Sequence, residues 1–217
     1  MSTQKDHAIL FATLHIIGDP LILFNVWDAG SARAAQEIGS KAIATGSWAV
    51  AVAHGFKDGE TLPLDLVLAN VQRIVASVNL PVSVDLESGY GRTPADVKNS
   101  VAQAITTGAI GINFEDQIIG EEGLYTIEAQ CARIAAAREA ADEPSIPLFI
   151  NARTDIYLKT SPADHTDAHL QDAIHRAQSY AQAGASGFFA PGLRKAEWIA
   201  TLCEQSSIPV NTGLSLG

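Results

Sequence analysis

The 217-residue sequence has few cysteines and no long apolar run. The two cysteines, Cys131 and Cys203, have neither the spacing of a metal site nor that of a disulfide framework, which indicates a reducing compartment. No run of about 18 apolar residues occurs, so we expect no membrane span. Residues 1–8 lack an apolar run after a basic region, which argues against a signal peptide. These features predict a soluble, cytoplasmic protein.

Basic residues are also scarce: 14 Lys and Arg stand against 24 Asp and Glu, and the net charge is −10. Phosphate binding needs a basic face, so we expect no nucleic-acid partner. The acidity suits a site that gathers carboxylates around a divalent cation, although it does not identify one. The chain is long enough for one large domain and short for two, and we predict a single domain over residues 1–217.

Short β-branched runs alternate with longer segments of helical period along the chain. Seven runs are predicted as strands: 21–26, 41–45, 81–86, 110–114, 147–152, 187–190 and 208–211. Strands separated by helices of this length indicate βαβ units and a parallel sheet. A further helix is predicted at about 5–16, where it would plug or flank a barrel, and the residues after 45 are predicted as a loop.

The junctions that lead into the strands alternate between two kinds. Glycine precedes the second, fourth and sixth strands, whereas Pro81, Pro147 and Pro209 stand at the start of the third, fifth and seventh. Glycine supplies a left-handed helix cap, and proline fits where no ladder N–H is needed. This repeat favours a (β/α)₈ TIM-type barrel over a doubly wound sheet. With only seven strands counted, the predicted barrel is incomplete at its C-terminal side, and its open edges predict a homo-oligomer.

Carboxylates stand at the ends of the predicted strands, where the chemistry of parallel βα folds lies. Asp85 and Glu87 are two residues apart after the third strand, so they lean to one face, and Glu115 follows the fourth strand. Such carboxylates repel one another unless a cation lies between them, and oxygen ligands without His or Cys suit Mg²⁺ or Mn²⁺. The sequence therefore predicts a metal site at Asp85, Glu87 and Glu115; a solvated acidic turn is the alternative for the first two.

Arg153 follows the fifth strand and could bind a substrate carboxylate through a two-pronged contact. A structural salt bridge, for instance with Asp155, is the alternative. Glu115 and Asp116 are adjacent and cannot both face the barrel interior. We predict Glu115 for the site and Asp116 for a structural ion pair.

Four motifs resemble those of the isocitrate lyase/phosphoenolpyruvate (PEP) mutase superfamily, and together they extend over roughly residues 20–192. They are Asn25–Ala32 (NVWDAGSA), Val84–Gly91 (VDLESGYG), Ile112–Gln117 (INFEDQ) and Asn151–Asp155 (NARTD). The resemblance implies a (β/α)₈ barrel that binds Mg²⁺ and a small carboxylic acid substrate, which reacts through an enolate-like intermediate.

The resemblance also implies a role for particular residues of this chain. Asp85, Glu87 and Glu115 would form the metal shell, and Asp58 would lie on a mobile catalytic loop that covers the site. The backbone of Gly46, Ser47 and Trp48 would hold the substrate carboxylate, and Arg153 would contact the substrate during catalysis.

Departures from the family pattern narrow the predicted activity. The lyases proper carry a Cys-Gly-His loop after the fourth strand, and the phosphonate mutases carry a loop with Lys and Asn there. Ile118–Leu124 contains no Cys, His, Lys or Asn, and Glu87 replaces a common Asp. We predict a Mg²⁺-dependent carbon–carbon lyase or decarboxylase of a small 2-oxo or 2-hydroxy acid. The alternatives are a phosphonopyruvate- or carboxyphosphonate-type mutase or hydrolase, and a non-catalytic barrel that binds a metabolite.

Overall fold

A computed structural model describes residues 3–213. Its strands are β1 (Phe24–Val26), β2 (Ile43–Thr45), β3 (Val82–Asp85), β4 (Gly111–Glu115), β5 (Phe149–Arg153), β6 (Gly187–Phe189) and β7 (Val210–Asn211). Its α-helices are α1 (Gln4–Thr13), α2 (Ala29–Glu37), α3 (Ser47–Ala53), α4 (Leu64–Ser77), α5 (Pro94–Thr106), α6 (Ile127–Asp142), α7 (Asp167–Gln182) and α8 (Ala196–Gln205).

The seven strands form one parallel sheet in chain order, from β1 at one edge to β7 at the other. Helices connect successive strands, as parallel pairing requires. The sheet curls into a barrel that lacks an eighth strand among the described residues, which confirms the predicted fold. The single domain over 1–217 stays a prediction.

Alternate residues of the central strands face opposite sides of the sheet. Val84, Ile112 and Ile150 are fully buried against the surrounding helices in the largest apolar cluster. Because side chains alternate along a strand, the residues between them point into the barrel. Because of this alternation, the polar residues of β3, β4 and β5 lie close together at one end of the barrel.

Helix α1 packs across the opposite end of the barrel. The side chain of Gln4 donates to the carbonyl oxygens of Ile105 and Ala109, each at 2.8 Å. His15, just beyond the helix, stacks on Phe149 at 4.4 Å between ring centroids, and Phe11 meets the same ring edge-on at 5.1 Å. The predicted N-terminal helix is therefore confirmed, and it flanks the start of β5.

The loop predicted after β2 was wrong in part, because residues 47–53 form helix α3. Seven residues are too few for a stable isolated helix, and this one is held by burial of Val50 and Ala51. No helix among residues 3–213 combines the length and apolar character needed to cross a membrane.

Candidate functional site

A row of polar side chains crosses the barrel mouth at the level of Asp85. The parallel register aligns Asp85 with Asn113, Asn113 with Asn151, and Asn151 with Gly187. The amide of Asn113 donates to Asp85 Oδ1 at 3.0 Å, and that of Asn151 donates to Asn113 Oδ1 at 3.1 Å. A Cβ at Gly187 would lie 2.9 Å from Asn151 Oδ1. Glycine therefore leaves the space that this amide needs.

A charged row lies one step further along the strands, where Glu115 aligns with Arg153. Arg153 Nη1 is 3.1 Å from Glu115 Oε2. The same guanidinium donates two hydrogen bonds to Asp155, from Nε to Oδ1 at 2.5 Å and from Nη2 to Oδ2 at 3.0 Å. The structure thus shows the ion pair with Asp155 that the sequence left as an alternative. Both Nη atoms carry a second N–H that can donate elsewhere.

The start of α3 borders Asp85. The N–H of Ser47 donates to Asp85 Oδ2 at 3.0 Å, and the N–H of Asp85 donates to Thr45 Oγ1 at 2.8 Å. A Cβ at Gly46 would lie 3.1 Å from the side-chain nitrogen of Asn25, so the chain passes close to β1 there. Trp48, the third residue predicted to hold a substrate carboxylate, has two thirds of its side chain exposed.

Glu87 connects strand β3 to the loop of residues 55–61, which we call the cover loop. Its Oε2 accepts the N–H groups of Gly59 and Glu60, each at 2.8 Å, and its Oε1 accepts the hydroxyl of Tyr90 at 3.3 Å. Asp58 is exposed on the same loop, next to these contacts. The longer arm of glutamate, compared with aspartate, therefore reaches the loop.

Negative charge is concentrated at this rim. Burial, with smaller contributions from the nearby carboxylates of Asp58 and Asp85, raises the pKa of Glu87 to about 7, although the hydrogen bond from the N–H of Glu60 opposes the shift. Burial also raises the pKa of Glu115; the Arg153 guanidinium opposes the shift, while Asp85 and Glu87 add to it. The three predicted metal ligands are therefore close enough to repel one another.

The same carboxylates are engaged by protein donors. Within residues 3–213, no three His, Cys, Asp or Glu side chains form a ready-made metal cluster. The donor set consists of oxygens alone, and burial raises the pKa of Glu87 and of Glu115, a shift that a nearby cation would oppose. These properties fit a hard divalent cation such as Mg²⁺, which keeps several water ligands and needs only one or two direct carboxylates.

Asp116 points away from the site and is fully buried. Its Oδ2 accepts from Arg176 Nη1 and from the Tyr180 hydroxyl, each at 2.9 Å, and its Oδ1 accepts the N–H of Asp155 at 3.0 Å. The predicted structural ion pair is confirmed, and its partner is Arg176 on α7. Through Asp155, this buried cluster also fixes the residue that holds Arg153.

Sequence reasoning missed several residues that shape the site. Asn113 and Asn151 carried a signal, because each stands two positions before a predicted site residue on a buried strand. Glu60 carried none: its Oε1 accepts the N–H of Tyr90 at 2.8 Å, a contact between two loops that are 30 residues apart.

Comparison with known proteins finds relatives along nearly the whole chain. An uncharacterized protein of Mycobacterium tuberculosis is 36% identical over 204 residues, which cover 93% of this chain and 72% of the relative. The 2-methylisocitrate lyase of Escherichia coli is 29% identical over 200 residues, which cover 88% of this chain and 64% of the enzyme. The match thus spans less than two thirds of that enzyme's length.

Solved structures show the same relationship. A "putative phosphonomutase" of Burkholderia cenocepacia is 47% identical with a TM-score of 0.94, over 96% of this chain and 83% of that one. A 2,3-dimethylmalate lyase is 25% identical with a TM-score of 0.80, over 97% and 69%. Homologues of the chain thus include carbon–carbon lyases. The family model for phosphoenolpyruvate phosphomutase matches residues 11–216, and the chain belongs to this family, within the isocitrate lyase/PEP mutase superfamily.

Proposed function

We propose that the protein is a Mg²⁺-dependent lyase or decarboxylase of a small 2-oxo or 2-hydroxy acid, acting through an enolate-like intermediate. The observation that carries the proposal is the arrangement of Arg153. Its guanidinium is held by Asp155 and Glu115 at the barrel mouth, on the same rim as Asp85 and Glu87. The positive charge of Arg153 suits an anionic substrate, and the nearby carboxylates of Asp85 and Glu87, which have no cationic partner in an ion pair among the described residues, suit a metal ion.

Asp85, Glu87 and Glu115 would hold the metal ion, in part through water. When bound, Mg²⁺ supplies positive charge that stabilises the negative charge developing on the enolate oxygen. Mn²⁺ has similar ligand preferences and could replace it. The charge of either ion would also oppose the burial and the carboxylate repulsion that together raise the pKa of Glu87.

Other residues of this rim would bind the substrate and exclude water from it. Arg153 binds the substrate carboxylate through the N–H groups that Asp155 and Glu115 leave unused. The backbone of Gly46–Trp48 contributes N–H donors near Asp85, which requires the present Ser47–Asp85 contact to be shared or exchanged. The cover loop, with Asp58, lies over Glu87 and excludes water while the carbanionic charge persists. In the decarboxylation of a 2-oxo acid, the carbon–carbon bond to the departing carboxylate breaks, CO₂ leaves, and the electron pair of that bond forms the enolate, whose carbon then takes up a proton from solvent.

A phosphonomutase-type or hydrolase reaction is the second candidate, because the Burkholderia relative at 47% identity carries that description. Transfer of a phosphorus group should require basic side chains near the mouth. Ile118–Leu124 supplies none, and Lys57 and Lys159 are the lysines near the strand ends in sequence. Because basic side chains are scarce there, we rank the carbon–carbon reaction above the phosphorus reaction.

Binding of Mg²⁺ tests the metal part of the proposal. Thermal unfolding with and without Mg²⁺ should show stabilisation of the parent protein. Asp85→Asn and Glu115→Gln should reduce that shift, whereas Glu204→Gln, at an exposed carboxylate on α8, should retain it. A parent protein whose melting temperature does not respond to Mg²⁺ would refute the metal assignment.

Substrate turnover tests the reaction. The metal-loaded protein is incubated with oxaloacetate, malate-type acids, 2-methylisocitrate and phosphonopyruvate, and products are followed by ¹H, ¹³C and ³¹P NMR. Carbon–carbon cleavage or decarboxylation supports the proposal, and a new ³¹P signal supports the second candidate. Inactivity of a folded, metal-loaded sample across the panel would favour a non-catalytic binding protein.

We also propose that the protein is a homo-oligomer. Light scattering of the purified chain measures its oligomeric state directly.

A further inference from the structure

Arg133, on helix α6, is a buried cation held by a turn rather than by a carboxylate. Its side chain is 1% exposed. The guanidinium donates to the carbonyl oxygen of Ser88, to that of Gly91 at 3.0 Å, and to Gln130 Oε1 at 2.6 Å. None of the ion pairs within residues 3–213 involves Arg133.

Two aromatic rings complete the surroundings of Arg133. Its guanidinium carbon lies 3.9 Å from the ring centroid of Tyr125 and 4.9 Å from that of Phe114. Aromatic faces stabilise a desolvated cation, although they offer no specific bond. Nε has no hydrogen-bond partner among the described residues. A buried charge with an unpaired N–H is a poor way to stabilise a core, so stability alone does not explain this arginine.

The turn that Arg133 contacts has an unfavourable backbone conformation. Glu87 and Tyr90 have φ values of 51° and 53°, in the left-handed region that side chains other than glycine rarely adopt. Gly89 between them has φ 86° and lies against the Phe114 ring. Residues in such conformations persist only where their surroundings fix them. Arg133 fixes this turn, because its guanidinium bridges the carbonyls of Ser88 and Gly91.

Both left-handed residues of the turn contact the cover loop. Glu87 accepts the N–H groups of Gly59 and Glu60, and the N–H of Tyr90 donates to Glu60 Oε1. We propose that Arg133 is a positioning residue, which holds the turn of residues 87–91 so that Glu87 and Tyr90 keep the cover loop over the site. The part that concerns Mg²⁺ rests on the proposed function, whereas the part that concerns the loop does not.

The test compares Arg133→Lys with Arg138→Lys. Arg138 is a matched control because it also lies on α6 and donates to a backbone carbonyl, that of Gly184, at 3.0 and 3.2 Å, but its contacts precede β6 and do not involve the turn. Lysine keeps the positive charge but lacks the planar fork of five N–H donors with which the guanidinium spans the carbonyls of Ser88 and Gly91. Amide hydrogen exchange at Gly59 and Glu60 reports on the loop, and calorimetric titration with MgCl₂ reports on the metal.

We expect exchange at Gly59 and Glu60 to become at least about tenfold faster in Arg133→Lys, while amides in the middle of α7 keep the parent rate. Mg²⁺ should bind about tenfold more weakly, a size typical for residues that orient metal ligands. Arg138→Lys should change neither quantity by more than about twofold. Parent-like exchange at both amides in Arg133→Lys would overturn the inference, whatever happens to Mg²⁺.

Two further outcomes separate the inference from the proposed function. A parent protein that does not bind Mg²⁺ refutes the metal assignment, and the exchange measurement still decides the role of Arg133. If Arg133→Lys does not fold, Tyr125→Leu replaces it, because that variant removes one aromatic face and leaves the guanidinium in place. Faster exchange at Gly59 and Glu60 in Tyr125→Leu supports the inference, and an unchanged rate contradicts it.

Discussion

The carboxylate of Asp155 grips the guanidinium of Arg153 at two points, at 2.5 and 3.0 Å. Asparagine at position 155 would keep the volume and lose the charge, so Arg153 would be drawn toward Glu115. We expect Asp155→Asn to bind oxalate, a planar dicarboxylate that resembles an enolate, about tenfold more weakly in the presence of Mg²⁺. Calorimetric titration measures this affinity.

The matched control for that prediction is Asp172→Asn. Asp172 also pairs with an arginine, Arg176 at 3.1 Å, but its own side chain is partly exposed on α7, away from Arg153. It should leave oxalate binding unchanged. An Asp155→Asn variant with parent affinity for oxalate would show that Asp155 does not position Arg153 for the ligand.

The raised pKa of Glu87 predicts a pH-dependent stability in the absence of metal. Because this pKa rises from 4.5 to about 7 on folding, the folded state holds the proton more tightly. Ionisation therefore destabilises the folded state as pH increases from about 4.5 to 7. Glu87→Gln should gain on the order of 1–3 kcal/mol over the parent between pH 5 and pH 8.

Urea denaturation in EDTA at both pH values measures this difference. Glu204→Gln, which removes an exposed carboxylate, serves as the control and should show the same stability difference from the parent at pH 5 and pH 8. A Glu87→Gln effect that does not depend on pH would contradict the assignment of this titration to Glu87.

Asp116 should matter for stability more than for ligand binding. It is fully buried, and Asp116→Asn would leave the Arg176 guanidinium without its buried partner. We expect a loss of about 3–5 kcal/mol in the free energy of unfolding. Glu121→Gln breaks an exposed ion pair with Arg92, and we expect a change of less than about 1 kcal/mol. A small effect of Asp116→Asn in urea denaturation would mean that the cluster relaxes around asparagine.

Two glycines with similar φ values separate backbone strain from steric conflict. Gly89 and Gly39 have φ values of 86° and 90°, but a Cβ at Gly89 would lie 2.8 Å from the Phe114 ring, and one at Gly39 would meet nothing within 4 Å. We expect Gly39→Ala to lose about 1 kcal/mol from backbone strain alone. Gly89→Ala should lose about 2–4 kcal/mol, because overpacking adds to the strain. Equal losses in urea denaturation would show that the Phe114 ring moves aside freely.

The order of strands and helices could be predicted because short β-branched runs and helical periods alternate along the chain. Helix α3 could not, since its seven residues depend on tertiary burial of Val50 and Ala51. Asp85, Glu115 and Arg153 could be placed at one rim because parallel strands end at the same edge of a barrel. That Asp85 and Glu115 bind a metal ion, and that Arg153 binds a substrate carboxylate, stay predictions.

Contacts between distant segments were beyond sequence reasoning. Arg133 and Ser88 are 45 residues apart, and no local pattern marks an arginine on α6 as the support of a turn after β3. The contact between Glu87 and the cover loop depends on a left-handed backbone conformation at position 87, and a glutamate in the sequence does not predict such a conformation.

Helix α1 has a consequence for the order in which the protein folds during synthesis. Its aromatic side chain Phe11 packs on Phe149, about 140 residues later in the chain, and Gln4 binds carbonyls that come about 100 residues later. At a synthesis rate of roughly 5–20 residues per second, α1 is made roughly 7–28 s before this partner strand. Helix α1 therefore cannot dock before β5 has been made, and Phe11 lacks this aromatic partner in the interval.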